Sequence, residues 1–213
     1  MLPSQLDPVK RPTFDNNRVA IFNCDCEVLR GSNPDVIIAD PPYPDYHTEI
    51  YKQTDIKFLN DYHCKKIVFW SAKAEFPLAY SAIHIWDKKT GVGSEYERIF
   101  ECSGGKQYKM FRYYLINSRI AANHTGDVFT GHPSQKPYQL MLDLVLKFSK
   151  PDDLVFDPFM GSGTTAIACI KSGRRFIGAE IKSKWFKIAK QRIKLATSQG
   201  GMSDILEYSN ATQ

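Results

Sequence analysis

Asp40-Pro41-Pro42-Tyr43 is the stretch whose residue types and spacing could do chemistry. It follows directly on Asp35-Val36-Ile37-Ile38-Ala39, a short apolar run bounded by turn formers, which predicts a buried strand. Proline supplies no backbone N–H, and the residue before it is pushed out of the helical region. The chain must therefore leave the strand in a stiff shape, with a carboxylate at the strand tip and an aromatic ring just beyond. In open α/β sheets that edge is where ligands bind. An ordinary turn made of turn-forming residues would explain an isolated motif of this kind equally well.

A second stretch tips that balance. Asp157-Pro158-Phe159-Met160-Gly161-Ser162-Gly163-Thr164-Thr165 follows one predicted strand and opens a predicted helix. Gly161 and Gly163 tolerate positive φ and let a ligand approach the backbone, and the free N–H groups of a helix start favour a negative or polar ligand end. Glu180 ends the next predicted strand, about twenty residues on, where a carboxylate can accept hydrogen bonds from ribose hydroxyls. The three-glycine dinucleotide fingerprint and the P-loop Gly-Lys-Ser/Thr are both missing. A nucleoside with few phosphates is the expected ligand, and a plain helix-capping turn is the alternative.

These residues need elements to position them. Arg18–Asn23, Asp35–Ala39, Lys66–Trp70, Ala79–Trp86, Leu154–Asp157 and Arg175–Glu180 read as strands, with Glu97–Cys102 alternating as an antiparallel partner to Ala79–Trp86. Glu27–Leu29 reads as a single helical turn. Tyr138–Phe148 has helical length with Pro137 near its first turn, Thr164–Lys171 is a helix closed by Ser172-Gly173, and Lys184 to about Ala196 is a basic amphipathic helix. Residues 1–17 read as an arm or loop, and 44–62 as a tyrosine-rich loop grading into a helix. Alternating strands and helices predict one α/β domain with a mostly parallel sheet.

Composition sets the outer bounds. With 213 residues, 43% hydrophobic and 24% charged, the chain suits a single well-buried domain. No apolar run approaches the ~18–20 residues that span a bilayer, and the first residues lack a signal pattern, so a cytoplasmic protein is expected. The five cysteines are odd in number and lie mostly in apolar runs, as reduced buried thiols do. Cys24-Asp25-Cys26 has no second pair at ligand spacing, and no metal is expected. A net charge of +5 is compatible with nucleic acid but weak evidence for it.

Taken in order, Asp40–Tyr43, His132-Pro133-Ser134-Gln135-Lys136-Pro137, Asp157–Thr165 and Gly178-Ala179-Glu180 resemble the amino-methyltransferases of DNA that use S-adenosyl-L-methionine. With the Asp40 motif first and the glycines last, the order resembles the permuted beta group of that family. Ile85-Trp86-Asp87-Lys88 and Glu97-Arg98-Ile99 resemble its central strands. The resemblance implies a Rossmann-like class I methyltransferase fold. It implies that Asp157, Phe159, Gly161, Gly163 and Thr164 line the methionine end of the cofactor beside Asp40. His132, Gln135 and Lys136 would close over it, Glu180 would hold the ribose, and Asp25 would meet the adenine.

The resemblance also implies the chemistry. A ring-conjugated amine is a poor nucleophile, and two acceptors, Asp40 and the Pro41 carbonyl, would localise its lone pair. Pro41 and Pro42 would keep the motif rigid, and Tyr43 would stack on a base rotated out of the duplex. Aspartate at position 40 points to adenine N6, with cytosine N4, an RNA substrate and an idle DNA-binding subunit as alternatives. Larger members carry a target-recognition region where this chain has only residues 103–131. There Lys106, Lys109, Arg112 and Arg119 alternate with aromatics, which suits phosphate contact and stacking as well as it suits a solvated basic loop. Members often pair, so a homodimer in which one subunit binds DNA for the other is one expected assembly. The resemblance extends to small bacterial and phage enzymes, inside or outside restriction–modification systems.

Overall fold

The computed structural model describes residues 12, 14–44, 54–89, 95–104, 108–113 and 127–198. Among the described residues nine strands are formed: β1 (Phe14–Asp15), β2 (Val19–Phe22), β3 (Val36–Ala39), β4 (Lys65–Trp70), β5 (Ala82–Asp87), β6 (Tyr96–Glu101), β7 (Met110–Arg112), β8 (Leu154–Asp157) and β9 (Arg175–Ala179). The helices are α1 (Tyr138–Phe148), α2 (Thr164–Lys171) and α3 (Ser183–Ser198). Two 3-10 turns, Cys26–Leu29 and Ile56–Asp61, are each capped by the aspartate before them.

All strands join one sheet in the order β1-β2-β9-β8-β3-β4-β6-β5-β7. The central run β2, β9, β8, β3 and β4 is parallel, which explains why β2, β3, β8 and β9 are apolar nearly throughout rather than alternating. Their residues Ile21, Ile37, Val155 and Phe156 have no solvent exposure. Each such side chain contributes roughly 1.5–3 kcal/mol when fully buried. By contrast β5 alternates buried and half-buried residues, as an antiparallel strand with one better-covered face should.

The topology decides where a site can form. From β3 the chain moves to β4 on one side, whereas from β8 it moves to β9 on the other, although β3 and β8 are neighbours. A crevice opens at such a reversal, at the carboxyl ends of the strands. Asp40 and the glycine turn leave β3 and β8 at that edge. Because β6 runs antiparallel to β4, with Trp70 opposite Arg98, the start of β6 and the end of β5 reach the same edge.

Two short strands escape the sequence reading. β1, within the expected arm, pairs antiparallel with β2, and β7, within residues 103–131, pairs parallel with β5. At two and three residues they are too short to show periodicity. His84 helps to hold β7 in place: its Nδ1 accepts from the Lys109 N–H, which leaves Nε2 as the donor to Glu101.

Candidate active site

One cavity of about 720 Å³ runs along the carboxyl edge, from Asp25 and Glu180 past the glycine turn to Asp40, Trp86 and Glu97. Its first half is built mainly from backbone. Gly163 stands at φ 83° as the N-cap of α2, and a Cβ there would lie 3.0 Å from the Ala189 Cβ of α3. Gly161 stands at φ 56°, where a Cβ would meet the His132 ring at 3.3 Å. Glycine is thus required twice, for the conformation and for the packing. Glu180 is fixed by two backbone N–H groups: Gly161 donates to Oε2 at 2.9 Å and Lys182 to Oε1 at 2.7 Å. Each oxygen retains a lone pair for a ligand hydroxyl.

Asp157 is buried at the base of the turn, accepting from the Phe159 N–H and from the Thr165 hydroxyl. Burial pushes its carboxyl up to about 7, against the pull of those two donors. Arg192 of α3 closes the turn from outside, with Nη1 2.7 Å from the Ser162 carbonyl and 3.4 Å from the Thr164 hydroxyl. Asp25 lines the cavity while capping the first 3-10 turn through the Glu27 N–H. Phe159 lines it too, edge-on to Phe58.

The second half is built from charged side chains. Asp40 Oδ1 accepts from the Tyr43 hydroxyl at 2.8 Å, and Oδ2 from Lys136 Nζ at 2.5 Å. Lys136 also lies 3.3 Å from Glu97, whose other oxygen takes Lys88 Nζ at 2.8 Å. Phe69, Trp86 and Tyr43 turn their rings to the Lys136 ammonium. Desolvation would depress Lys136, but Asp40 and Glu97 outweigh it and raise its ammonium above the ordinary range. Two carboxylates and two ammonium groups therefore balance in a nearly dry space, the condition under which buried charges persist.

Lys136 lines the cavity with its ammonium held by Asp40 and Glu97. Gln135 is buried with its whole amide engaged, accepting from Thr130 and donating to the Val128 carbonyl, so it shapes its own loop. Tyr43 is only 7% exposed and is tilted against Trp70. Glu97, Lys88, Trp86 and Arg192 carry no expected role yet belong to the site. The one signal for Glu97 is a carboxylate at an inward position of an alternating strand, where a charge must have a partner.

Lys109 and Arg112 are exposed at the two ends of β7, and Arg112 lies 3.5 Å from Asp87. Lys106 and Arg119 lie outside the described residues. Burial, then Asp25, pushes the Cys26 thiol up to about 12, which disfavours the thiolate a metal would need. Among the described residues no group of His, Cys, Asp or Glu is placed to hold a metal ion. None of the described helices is long and apolar enough to cross a membrane.

A mostly parallel sheet with a glycine turn, a strand-tip carboxylate and a crevice at the strand reversal defines a nucleoside-binding α/β protein. The chain belongs to the DNA methylase family, whose model matches residues 48–191. It is 45% identical over 71 residues to the DNA adenine methyltransferase YhdJ of Escherichia coli K12, a match covering 33% of this chain and 24% of that protein. It is 34% identical over 109 residues to the type II methyltransferase M2.DpnII of Streptococcus pneumoniae, covering 51% of this chain and 38% of that protein. The matched segments thus span well under half of these relatives. Among solved structures, the M1.HpyAVI–SAM complex has a TM-score of 0.58 at 23% identity, covering 82% of this chain and 99% of that one. The PvuII cytosine-N4 methyltransferase has a TM-score of 0.61 at 14% identity, covering 89% and 95%. At such identities the likeness is one of fold, the Rossmann-like class I methyltransferase fold.

Proposed function

We propose that the protein transfers the methyl group of S-adenosyl-L-methionine to the exocyclic N6 amine of adenine in DNA. The observation that carries this reading is Asp40, a carboxylate fixed at the tip of β3 and opening to the same cavity as the glycine turn and Glu180. The residues fit the cofactor. Gly161 and Gly163 leave the turn free of side chains, Glu180 retains acceptor capacity for ribose hydroxyls, and Asp157 offers a buried carboxylate beneath a cationic ligand end. When bound, the cofactor supplies an electrophilic methyl group on a sulfonium. His132, edge-on to Trp185 and against Gly161, would wall that end of the cavity.

The remaining chemistry belongs to this chain. Asp40 accepts a hydrogen bond from the target amine, and the Pro41 carbonyl accepts a second. Both localise the nitrogen lone pair and stabilise the positive charge that develops there. Lys136 holds Asp40 in place, so that its free lone pair faces the cavity without reorganising. Pro41 and Pro42 remove backbone freedom between Asp40 and Tyr43. The base must leave the duplex to reach this depth.

The motif order supports the permuted beta group. The exposed cations Lys109 and Arg112, together with Lys106 and Arg119, are the proposed phosphate contacts, and pairing into a homodimer would enlarge that surface. The bacterial relatives support a bacterial origin, or that of a phage in such a host, and with it a cytoplasmic location. The test is equilibrium cofactor binding and methyl transfer by Asp40→Ala. Binding is expected to persist while transfer to duplex DNA is lost; transfer at near wild-type rate would end this reading.

A further inference from the structure

Three oxygens lie in a row beside the proposed amine site. Tyr43 Oη is 2.8 Å from Asp40 Oδ1 and 2.9 Å from Glu97 Oε2. A phenol carries one proton. With both carboxylates ionised, only one of these two contacts can be a hydrogen bond, and the other sets lone pair against lone pair. In a buried site that arrangement is costly. The lysines bind around this row but place no proton within it. Lys136 takes Asp40 Oδ2 and lies 3.3 Å from Glu97 Oε2, and Lys88 takes Glu97 Oε1. One further proton completes the row, with Asp40 donating to Tyr43 and Tyr43 to Glu97.

We propose that Asp40, Tyr43 and Glu97 form a shared acceptor for the proton that the target amine loses on methylation, with Glu97 as the proton-sharing partner of Asp40. This rests on the methyl-transfer reading above. The methylated nitrogen carries one proton too many. Its N–H bond breaks with the electron pair returning to nitrogen, and an O–H bond forms at Asp40 Oδ1. Tyr43 then turns its own proton from Asp40 to Glu97, so that each gap holds one proton. No further reactant is needed. The Asp40 side chain, 21% exposed, passes the proton to solvent when the cavity empties.

The surrounding charges favour this division of labour. Burial pushes Asp40 above the ordinary carboxylate range; Lys136 opposes that shift and Glu97 adds to it. Burial also acts on Glu97, but Lys136 and Lys88 outweigh it and hold its carboxyl below the ordinary range. The extra proton therefore rests on Asp40, and Glu97 stays the anion to which Tyr43 donates. Buried between two carboxylates, Tyr43 is held well above the ordinary phenol range and remains a donor. Among the described residues, Asp157 is a further acidic group within electrostatic reach of Asp40.

The test is a carboxyl ¹³C NMR titration of the cofactor-free protein, set beside the pH profile of single-turnover methyl transfer. In the wild type Asp40 should titrate above the ordinary carboxylate range, with the Glu97 signal shifting in the same step. Glu97→Gln removes the partner charge and should lower the Asp40 midpoint by roughly one unit or more, moving the acid limb of the profile with it. Tyr43→Phe keeps the ring but removes the bridge, and should make the two carboxyl signals independent. An Asp40 midpoint that is the same in all three proteins would overturn the proposal. Failure of the wild type to methylate any DNA would instead count against the methyl-transfer reading, and the titration would still decide whether the proton is shared.

Discussion

The two ends of the cavity are held by different means. Around β8, α2 and β9 the site is mostly backbone: glycines at positive φ, N–H groups donating to Glu180, and an arginine binding the turn's carbonyl. Around β3, β5 and β6 it consists of four charged side chains and a phenol drawn from distant parts of the chain. The first end recognises a ligand by shape, and its residues have few alternatives. Under the proposed methyl transfer the second changes protonation during the reaction, and a mutually compensated cluster can do so. Breaking each end should therefore look different.

The largest expected effect lies at the charged end. Lys136→Met would leave Asp40 an uncompensated buried charge and Glu97 held by Lys88 alone, a loss of about 3–5 kcal/mol in stability, read as a lower midpoint in denaturant unfolding. Unchanged stability would mean that the cluster is wetter than its geometry implies. Next comes the backbone end. Gly163→Ala forces a side chain into the left-handed region and against Ala189, which should cost about 1–3 kcal/mol and weaken cofactor binding by calorimetry. If cofactor affinity survives, the turn is more adaptable than its packing against α3 suggests.

A smaller effect separates the ends by pH. Asp157 titrates near 7, so a cationic cofactor should bind more tightly as pH rises through 7 and Asp157 ionises. Below 7, affinity should fall by about tenfold per pH unit. For folding the sign is opposite: the raised pKa favours the native state at low pH, and that contribution fades as pH rises towards 7. Asp157→Asn should flatten the binding dependence. The smallest effect is expected at the surface, where Arg112→Ala should weaken DNA binding uniformly across sequences and reduce the salt slope by about 1. A sequence-dependent loss would instead make Arg112 a base reader.

The same contrast explains what could be read from the amino-acid order. The backbone end is legible because its signals are local: Asp157 to Thr165 is one continuous turn, and Glu180 follows one helix and one strand later. Tyr138–Phe148 and Thr164–Lys171 match their expected ranges because periodicity and capping residues are local too. Asp40 is legible for the same reason, through its two prolines. Glu97, Lys88 and Lys136 are not legible as a cluster, since their meeting depends on β6 running antiparallel to β4 and on α1 following a loop that returns to the sheet edge. Arg192 is equally hidden, because one arginine in a basic helix looks like any other. The β7 edge strand is missed because three residues carry no period.

The proposed reaction at the Asp40 edge is methylation of adenine in DNA. The most direct measurement is transfer of a labelled methyl group to duplex DNA, followed by digestion to nucleosides and mass analysis, with RNA and protein as parallel acceptors. The expected product is N6-methyladenosine from the DNA sample alone, as its deoxy form. N4-methylcytosine, label in RNA or protein, or no labelled nucleoside at all would contradict it.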